Sequence, residues 1–271
     1  MRRVVEREGG CIVWGGAVGL SPADDILIRV ERAIDLDAEG QLVASVLSKK
    51  IAAGSSHLVL DIPVGPTAKV RGAEAAASLA DILVDVAGHF GLKARALIGD
   101  GTQPVGRGIG PALEARDVLA VLQNAPGAPP DLRARAVALA GALLELAGAA
   151  AEGTGAALAA GVFADGRAWA KFQAICAAQG GMRTPPVAAQ RHPVVATRAG
   201  RVGAIDNRRL AKIAKLAGAP DDKVAGIEVR VRIGDTIELG QPLFVVHAET
   251  RSELAYALAY VGANGDIVAV D

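Results

Sequence analysis

Asp37, Ser45, Lys49 and Lys69 have the residue types and spacing for hydrogen-bonding chemistry on a flat polar ring. Ser45 and Lys49 are separated by one helical turn and share a face, with Lys50 turned away from it. Lys69 lies near the end of the stretch DIPVGPTAKV at 61–70, which follows the apolar run HLVL at 57–60. That stretch is the exit of a buried strand, stiffened by Pro63 and Pro66, with Gly65 permitting a sharp turn between them. If the strand returns beside the helix, a carboxylate, a hydroxyl and one or two ammonium groups converge on one hollow. Such a set can hold the edge of a heterocycle. Each residue also has an ordinary explanation. Asp37 suits a helix cap or a first-turn acid, and the lysine pair suits a solvated face. From these residues alone the chain reads as a small-molecule α/β enzyme.

Other motifs are weaker. GRGIGP at 106–111 imitates a dinucleotide fingerprint, but its sixth position is Pro111 and the chain does not open with the βαβ unit the fingerprint requires. An ordinary glycine-rich connection is favoured over a phosphate cradle, with Asp100, Gln103 and Arg107 as near-site candidates at a strand's carboxyl end. DLDAEG at 35–40 begins like a calcium loop, yet its twelfth position is Val46 instead of Glu. No Ser-x-x-Lys arrangement or Gly-x-Ser-x-Gly elbow occurs. His57, His89, His192 and His247 stand alone, so no metal site is expected. Cys11 and Cys176 are too few for a disulfide-stapled scaffold.

The elements that must position these residues follow from periodicity. GCIVWGGAV at 10–18 reads as a buried strand and SPADD at 21–25 as a turn. QLVASVLSKKIAA at 41–53 is a helix with Leu42, Val46, Leu47 and Ile51 on its apolar stripe. HLVLDIPV and KARALIGD are strands separated by a helix over 72–92, and further helices span 112–122 and 131–148. From about Val187 the pattern becomes short valine-rich strands around the helix NRRLAKIAKLAGAP at 207–220. The expected fold is α/β, a mostly parallel sheet flanked by helices with a smaller C-terminal α+β domain. Residues 1–185 form the core, with 21–54 part of a small helical domain, and 186–271 form the second domain.

Composition narrows the function further. The 29 basic and 29 acidic residues balance, which disfavours a nucleic-acid polymer as partner. The N-terminus MRRVVEREGG lacks the apolar core of a signal peptide, and the alanine-rich stretches carry Arg, Glu and Gly. A soluble cytoplasmic protein with no membrane partner is expected.

Three longer strings are more specific: GGCIVWGGAVGLSPADDILIRVERAIDLDAEGQLVASVLSKKIAAG, DIPVGPTAKVRGAEAA and GDGTQPVGRGIGPALEARDVL. They resemble the thymidine phosphorylase and AMP phosphorylase family from about Gly9 onward. RVGAIDNRRLAKIAKLAGAP and QPLFVVHAE resemble that family's C-terminal domain. The resemblance implies a pentosyltransferase that cleaves the N-glycosidic bond of a pyrimidine nucleoside such as thymidine with inorganic phosphate. Its products are a free base and a (deoxy)ribose 1-phosphate. The alternatives are a nucleoside monophosphate such as AMP as substrate, or a non-catalytic remnant acting as scaffold. No cofactor is implied, phosphate being a co-substrate. By resemblance, Asp37 matches the proton donor to the leaving base in AMP-cleaving members. Ser45 and Lys69 match contacts to the base or nucleotide, and Lys49 matches a base-contacting lysine of thymidine-cleaving members.

Two departures accompany the resemblance. Where thymidine-cleaving relatives carry a base-reading arginine, this sequence has Val30 between Arg29 and Arg32. The Lys-His-Ser-x-Gly-Gly, Thr/Ser-Ser-Arg-Ala-Ile-Thr-Ser and Gly-Thr-Ala-Asp segments, which bind phosphate and much of the substrate in the family, are not found in this sequence. The chain is therefore expected to be the C-terminal half or more of such an enzyme, with little turnover by itself. A helix stripe left partly uncovered would then favour a homodimer.

Overall fold

A computed structural model describes residues 2–13, 22, 23, 26, 27, 30 and 39–271 of the chain. Helices and strands are named below in chain order. The chain divides into two compact units, each discontinuous in sequence. The first comprises Met1–Ile62, Gly72–Gly99 and Ala136–Met182; the second comprises Pro63–Arg71, Asp100–Arg135 and Arg183–Asp271.

In the first unit lie α1 (Arg2–Glu8), α2 (Glu39–Ala52) and α3 (Ala73–His89), with most of β1 (His57–Val64) and β2 (Lys93–Asp100). Most of α5 (Pro130–Leu146), with α6 (Gly155–Ala164) and α7 (Arg167–Ala178), completes it. β1 alternates as its sequence demands, with Leu58, Leu60 and Ile62 buried and Asp61 and Pro63 exposed. Lys93 N–H donates to Ser56 O at 3.0 Å and Gly101 N–H to Val64 O at 2.8 Å. The two bonds share one residue offset, so β1 and β2 run parallel, joined by α3. α3 buries Ala76, Leu79, Ala80, Leu83 and Ala87, an i, i+3, i+4 stripe, and packs against α2. Glu145 joins distant parts of the unit: it accepts from Gly155 N–H and Arg95, both at 2.9 Å. The Gly155 bond first, then Arg95, holds its carboxyl below the usual range.

The second unit has its core around Phe244, Leu210, Ile213, Ile227, Val229 and Val246. Its larger sheet is antiparallel, in the order β3 (Gly108–Ile109), β6 (Gly226–Val229), β8 (Pro242–Ala248), β4 (Gln190–Val195). β7 (Thr236–Ile237), β5 (Gly200–Ile205) and β9 (Val268–Val270) form a second antiparallel sheet. α8 (Asn207–Leu216) begins where Asp206 accepts from Arg209 N–H at 3.0 Å, and it buries Leu210, Ile213 and Ala214. α9 (Arg251–Ala263) is opened by a capping box between Thr250 and Glu253. α4 (Pro111–Leu122) lies beside β3.

The α/β character agrees with the sequence reading, and several details differ. Among the described residues the parallel pairing is β1 with β2, and the remaining named strands pair antiparallel. Residues 10–13 are not strand, and the rest of 10–18, most of SPADD and Asp37 lie outside the described residues. On α2 the fully buried pair is Val43 and Leu47, with Leu42, Val46 and Ile51 half-buried. The apolar stripe is thus rotated toward Val43, and these three side chains remain partly uncovered. A second helix, α9, joins α8 in the C-terminal region. The supposed loop at 106–111 contains β3. Among the described residues no helix is long and apolar enough to cross a membrane.

Candidate functional site

The segment after β1 explains the punctuation of DIPVGPTAKV. Val64 bridges Val70, Gly65 N–H donates to Val70 O at 3.1 Å, and Ala68 N–H to Gly65 O at 3.0 Å. The chain therefore closes a tight loop over 65–70, and Lys69 stands exposed on it. Gly65 is required by proximity: a Cβ there would lie 2.5 Å from Gly101 O. Pro63 restricts the backbone just ahead of this contact, and Pro66 does so inside the loop. Stiffness here holds a lysine backbone in place, which a flexible arm could do only with loss of entropy.

On α2, Lys49 Nζ donates to Ser45 Oγ at 3.4 Å, both side chains half-buried, while Lys50 is exposed. The expected pairing on one helix face is therefore present. Ser45 and Lys49 belong to the first unit and Lys69 to the second, and Asp37 lies outside the described residues.

The near-site candidates have structural employment. Asp100 accepts from Thr102 N–H at 2.8 Å, which lowers its carboxyl pKa. Gln103 Oε1 accepts from Ile233 N–H at 3.0 Å, and Arg107 Nη1 donates to Gly127 O at 3.0 Å. The glycine-rich connection is not arranged as an anion cradle. Arg107 and Gly108 N–H donate to Asp117 Oδ2 at 2.6 and 2.7 Å. Gly106 N–H donates to Asp131 at 3.0 Å and Gly110 N–H to Glu114 at 2.8 Å. Amides that could have met a phosphate instead meet carboxylates of their own chain.

Sequence inspection missed two features. His247, read as standing alone, is 4 % exposed on β8 and lies 3.6 Å from Glu228 on β6. The His247 contact first, and Arg230 after it, keeps the Glu228 carboxyl below its usual range. Asn207 at the start of α8 reaches the Lys69 loop: its N–H donates to Thr67 Oγ1 at 3.1 Å. No local pattern marks either pairing. Among the described residues no group of three or more His, Cys, Asp or Glu is placed to hold a metal ion.

Comparison with known proteins gives this geometry a context. Residues 201–267 match the family described as the pyrimidine nucleoside phosphorylase C-terminal domain. The whole chain is 65 % identical over 271 residues to a "Putative thymidine phosphorylase" of Chelativorans sp. (strain BNC1), covering 53 % of that protein. Along its whole length, the chain is a homologue of this protein. A protein of the same name from Sphingopyxis alaskensis is 66 % identical over 268 residues, 99 % of this chain and 52 % of its own. The one from Legionella pneumophila (strain Paris) is 59 % identical over 268 residues, again with 52 % of it covered. The chain spans about half the length of the curated relatives it matches. The nucleoside phosphorylase resemblance read from the residue strings is thus matched by these relatives. The segment with the C-terminal domain description contains α8, and with it the Asn207 grip on the Lys69 loop.

Proposed function

We propose that the chain serves phosphate-dependent cleavage of the N-glycosidic bond of a pyrimidine nucleoside, thymidine being the first candidate. The single observation that carries this reading is identity of about two thirds, sustained over the whole chain, to proteins named for that activity. As the bond breaks, the sugar becomes oxocarbenium-like and the base leaves carrying negative charge. Asp37 would protonate the departing base, a contribution of about two to four orders of magnitude for a placed general acid. Ser45, Lys49 and Lys69 would donate to the base oxygens, stabilising charge that develops only in the transition state. The Lys49–Ser45 hydrogen bond and the closed loop beneath Lys69 support these roles, because both reduce the motion lost on binding.

A second reading, a nucleoside monophosphate such as AMP as substrate, has its own support. Lys69 and Arg71 are exposed on one segment, and exposed Arg208 reaches the Ala68 carbonyl oxygen at 3.5 Å. Three cations around one loop exceed the need of a neutral nucleoside and suit a phosphomonoester.

The test is calorimetric binding of thymidine, uridine, cytidine and AMP to this chain, alongside base release with and without inorganic phosphate. The reading expects binding of at least one compound, weakened in Lys69→Ala, and little base release from this chain by itself, what there is depending on phosphate. Binding of none of the four, or release independent of phosphate, overturns it. Preference for AMP over thymidine selects the second substrate.

A further inference from the structure

The loop bearing Lys69 is gripped by residues far along the chain. Asn207, the first residue of α8, donates its N–H to Thr67 Oγ1 at 3.1 Å and its Nδ2 to Gly101 O at 2.9 Å. The first backbone N–H groups of a helix have no partner within it, so Thr67 supplies one. Arg208 adds a contact to Ala68 O at 3.5 Å. Gly101 in turn packs on the loop's base: a Cβ on it would lie 2.9 Å from both Pro63 Cβ and Val64 N. Thr67, Ala68 and Gly101, around the backbone that precedes Lys69, are therefore tied to a single helix start. All of these residues belong to the second compact unit.

We propose that Asn207 is a positioning residue for Lys69, making the C-terminal domain a brace for the substrate-binding loop. The proposal rests on the reading that Lys69 contacts the substrate. Its physical basis is pre-organisation. A lysine side chain loses its own rotamer freedom on binding, and a loose backbone would add the ordering of several residues to that loss. Asn207 suits the task because it supplies two donors to two segments at once. Its Oδ1 is buried and has no hydrogen-bond partner among the described residues. An aspartate there would replace the Nδ2 donor with an acceptor facing the Gly101 carbonyl oxygen.

The experiment compares Lys69→Ala, Asn207→Ala, Asn207→Asp, Thr67→Val and Thr67→Ser with the unaltered chain. Affinity for thymidine and for AMP is measured by calorimetry, trypsin cleavage after Lys69 by mass spectrometry, and folding by thermal melting. Asn207→Ala, Asn207→Asp and Thr67→Val should each weaken affinity about tenfold. They should also speed cleavage after Lys69 without comparable speeding at other sites. Thr67→Ser keeps the acceptor oxygen and should restore both readouts. A merely structural role would lower the melting temperature without this selective cleavage or the serine rescue. If Lys69→Ala weakens binding while the Asn207 and Thr67 variants do not, the brace is overturned and the site reading stands. If Lys69→Ala binds as well as the unaltered chain, the site reading fails and takes the proposal with it. Should an Asn207 variant fail to fold, the Thr67→Val and Thr67→Ser pair decides the matter.

Discussion

Asp117 on α4 accepts the backbone N–H of Gly108 at 2.7 Å, and the same oxygen accepts Arg107 N–H at 2.6 Å. One carboxylate therefore shapes the connection that delivers β3 to β6. Hydrogen bonds to a charged acceptor are stronger than neutral ones, and removing it strands half-buried donors. Asp117→Ala should destabilise the chain by about 2 kcal/mol. The denaturant midpoint in urea checks this, and an unchanged midpoint would show that water replaces the carboxylate at no cost.

Gly110 has φ +130°, and a Cβ there would lie 2.3 Å from Ala225 O. Neither the conformation nor the space accepts a side chain. Gly110→Ala should cost about 1–3 kcal/mol from strain, with more from separation of β3 and β6. Hydrogen exchange at Ile109 and Ile227 should quicken in the variant; protection equal to that of the unaltered chain would refute the close-approach argument.

Leu47 is 2 % exposed on the helix that carries Ser45 and Lys49. Leu47→Ala should cost about 2–5 kcal/mol through lost burial and the cavity left behind. Chemical denaturation measures it directly. A loss below that range would mean that the packing between α2 and α3 collapses around the gap.

The Asp222 carboxyl is pushed up to about 6, chiefly by its hydrogen bond with the Glu253 carboxyl, with burial and Glu249 adding to it. Glu253 is shifted down, by Thr250 first and then by Asp222. Between about pH 4 and 6 the folded chain binds more protons at Asp222 than the unfolded chain does. Stability from this group is therefore fully present below its unfolded pKa and is lost as pH rises through about 6. Asp222→Asn should flatten that part of the melting-temperature profile. A slope that persists in the variant would assign the effect elsewhere.

Asp37 carries the sharpest chemical expectation, and it rests on resemblance. If it donates the proton to the leaving base, Asp37→Asn should lower kcat by about two to four orders of magnitude with substrate affinity little changed. Kinetics of base release on the preferred substrate, in the full-length setting, measure it. Undiminished turnover would leave Asp37 with only a helix-start role.

Much of the architecture was legible because it is local. The period of HLVLDIPV, the i, i+3, i+4 stripe of α3 and the Ser45–Lys49 spacing depend on neighbours within a turn or a strand, and each is present. α9 carried a readable signal as well, since Thr250 and Glu253 have capping-box spacing just before an alanine-rich run. α6, GAALAAGVFA, had little to read: it is small and apolar on every face, so no period stands out. The stripe expected on α2 includes Leu47 and lacks Val43, because Leu42, Val43, Val46 and Leu47 allow two adjacent stripes. Val43 and Leu47 are its buried pair, on a helix that lies against α3.

The residue order alone supplied the α/β class, the nucleoside phosphorylase resemblance and the stiff, lysine-bearing turn, all of which reside in short contiguous strings. It could not supply the partners of that turn. Asn207 meets Thr67 across 140 positions, and β3 joins β6 across a comparable gap. Nothing local distinguishes a helix-opening asparagine that grips a remote loop from one that faces water. The choice is made when burial of Phe244, Leu210 and Ile227 gathers the second unit, bringing distant donors and acceptors within reach and leaving them to be satisfied by one another.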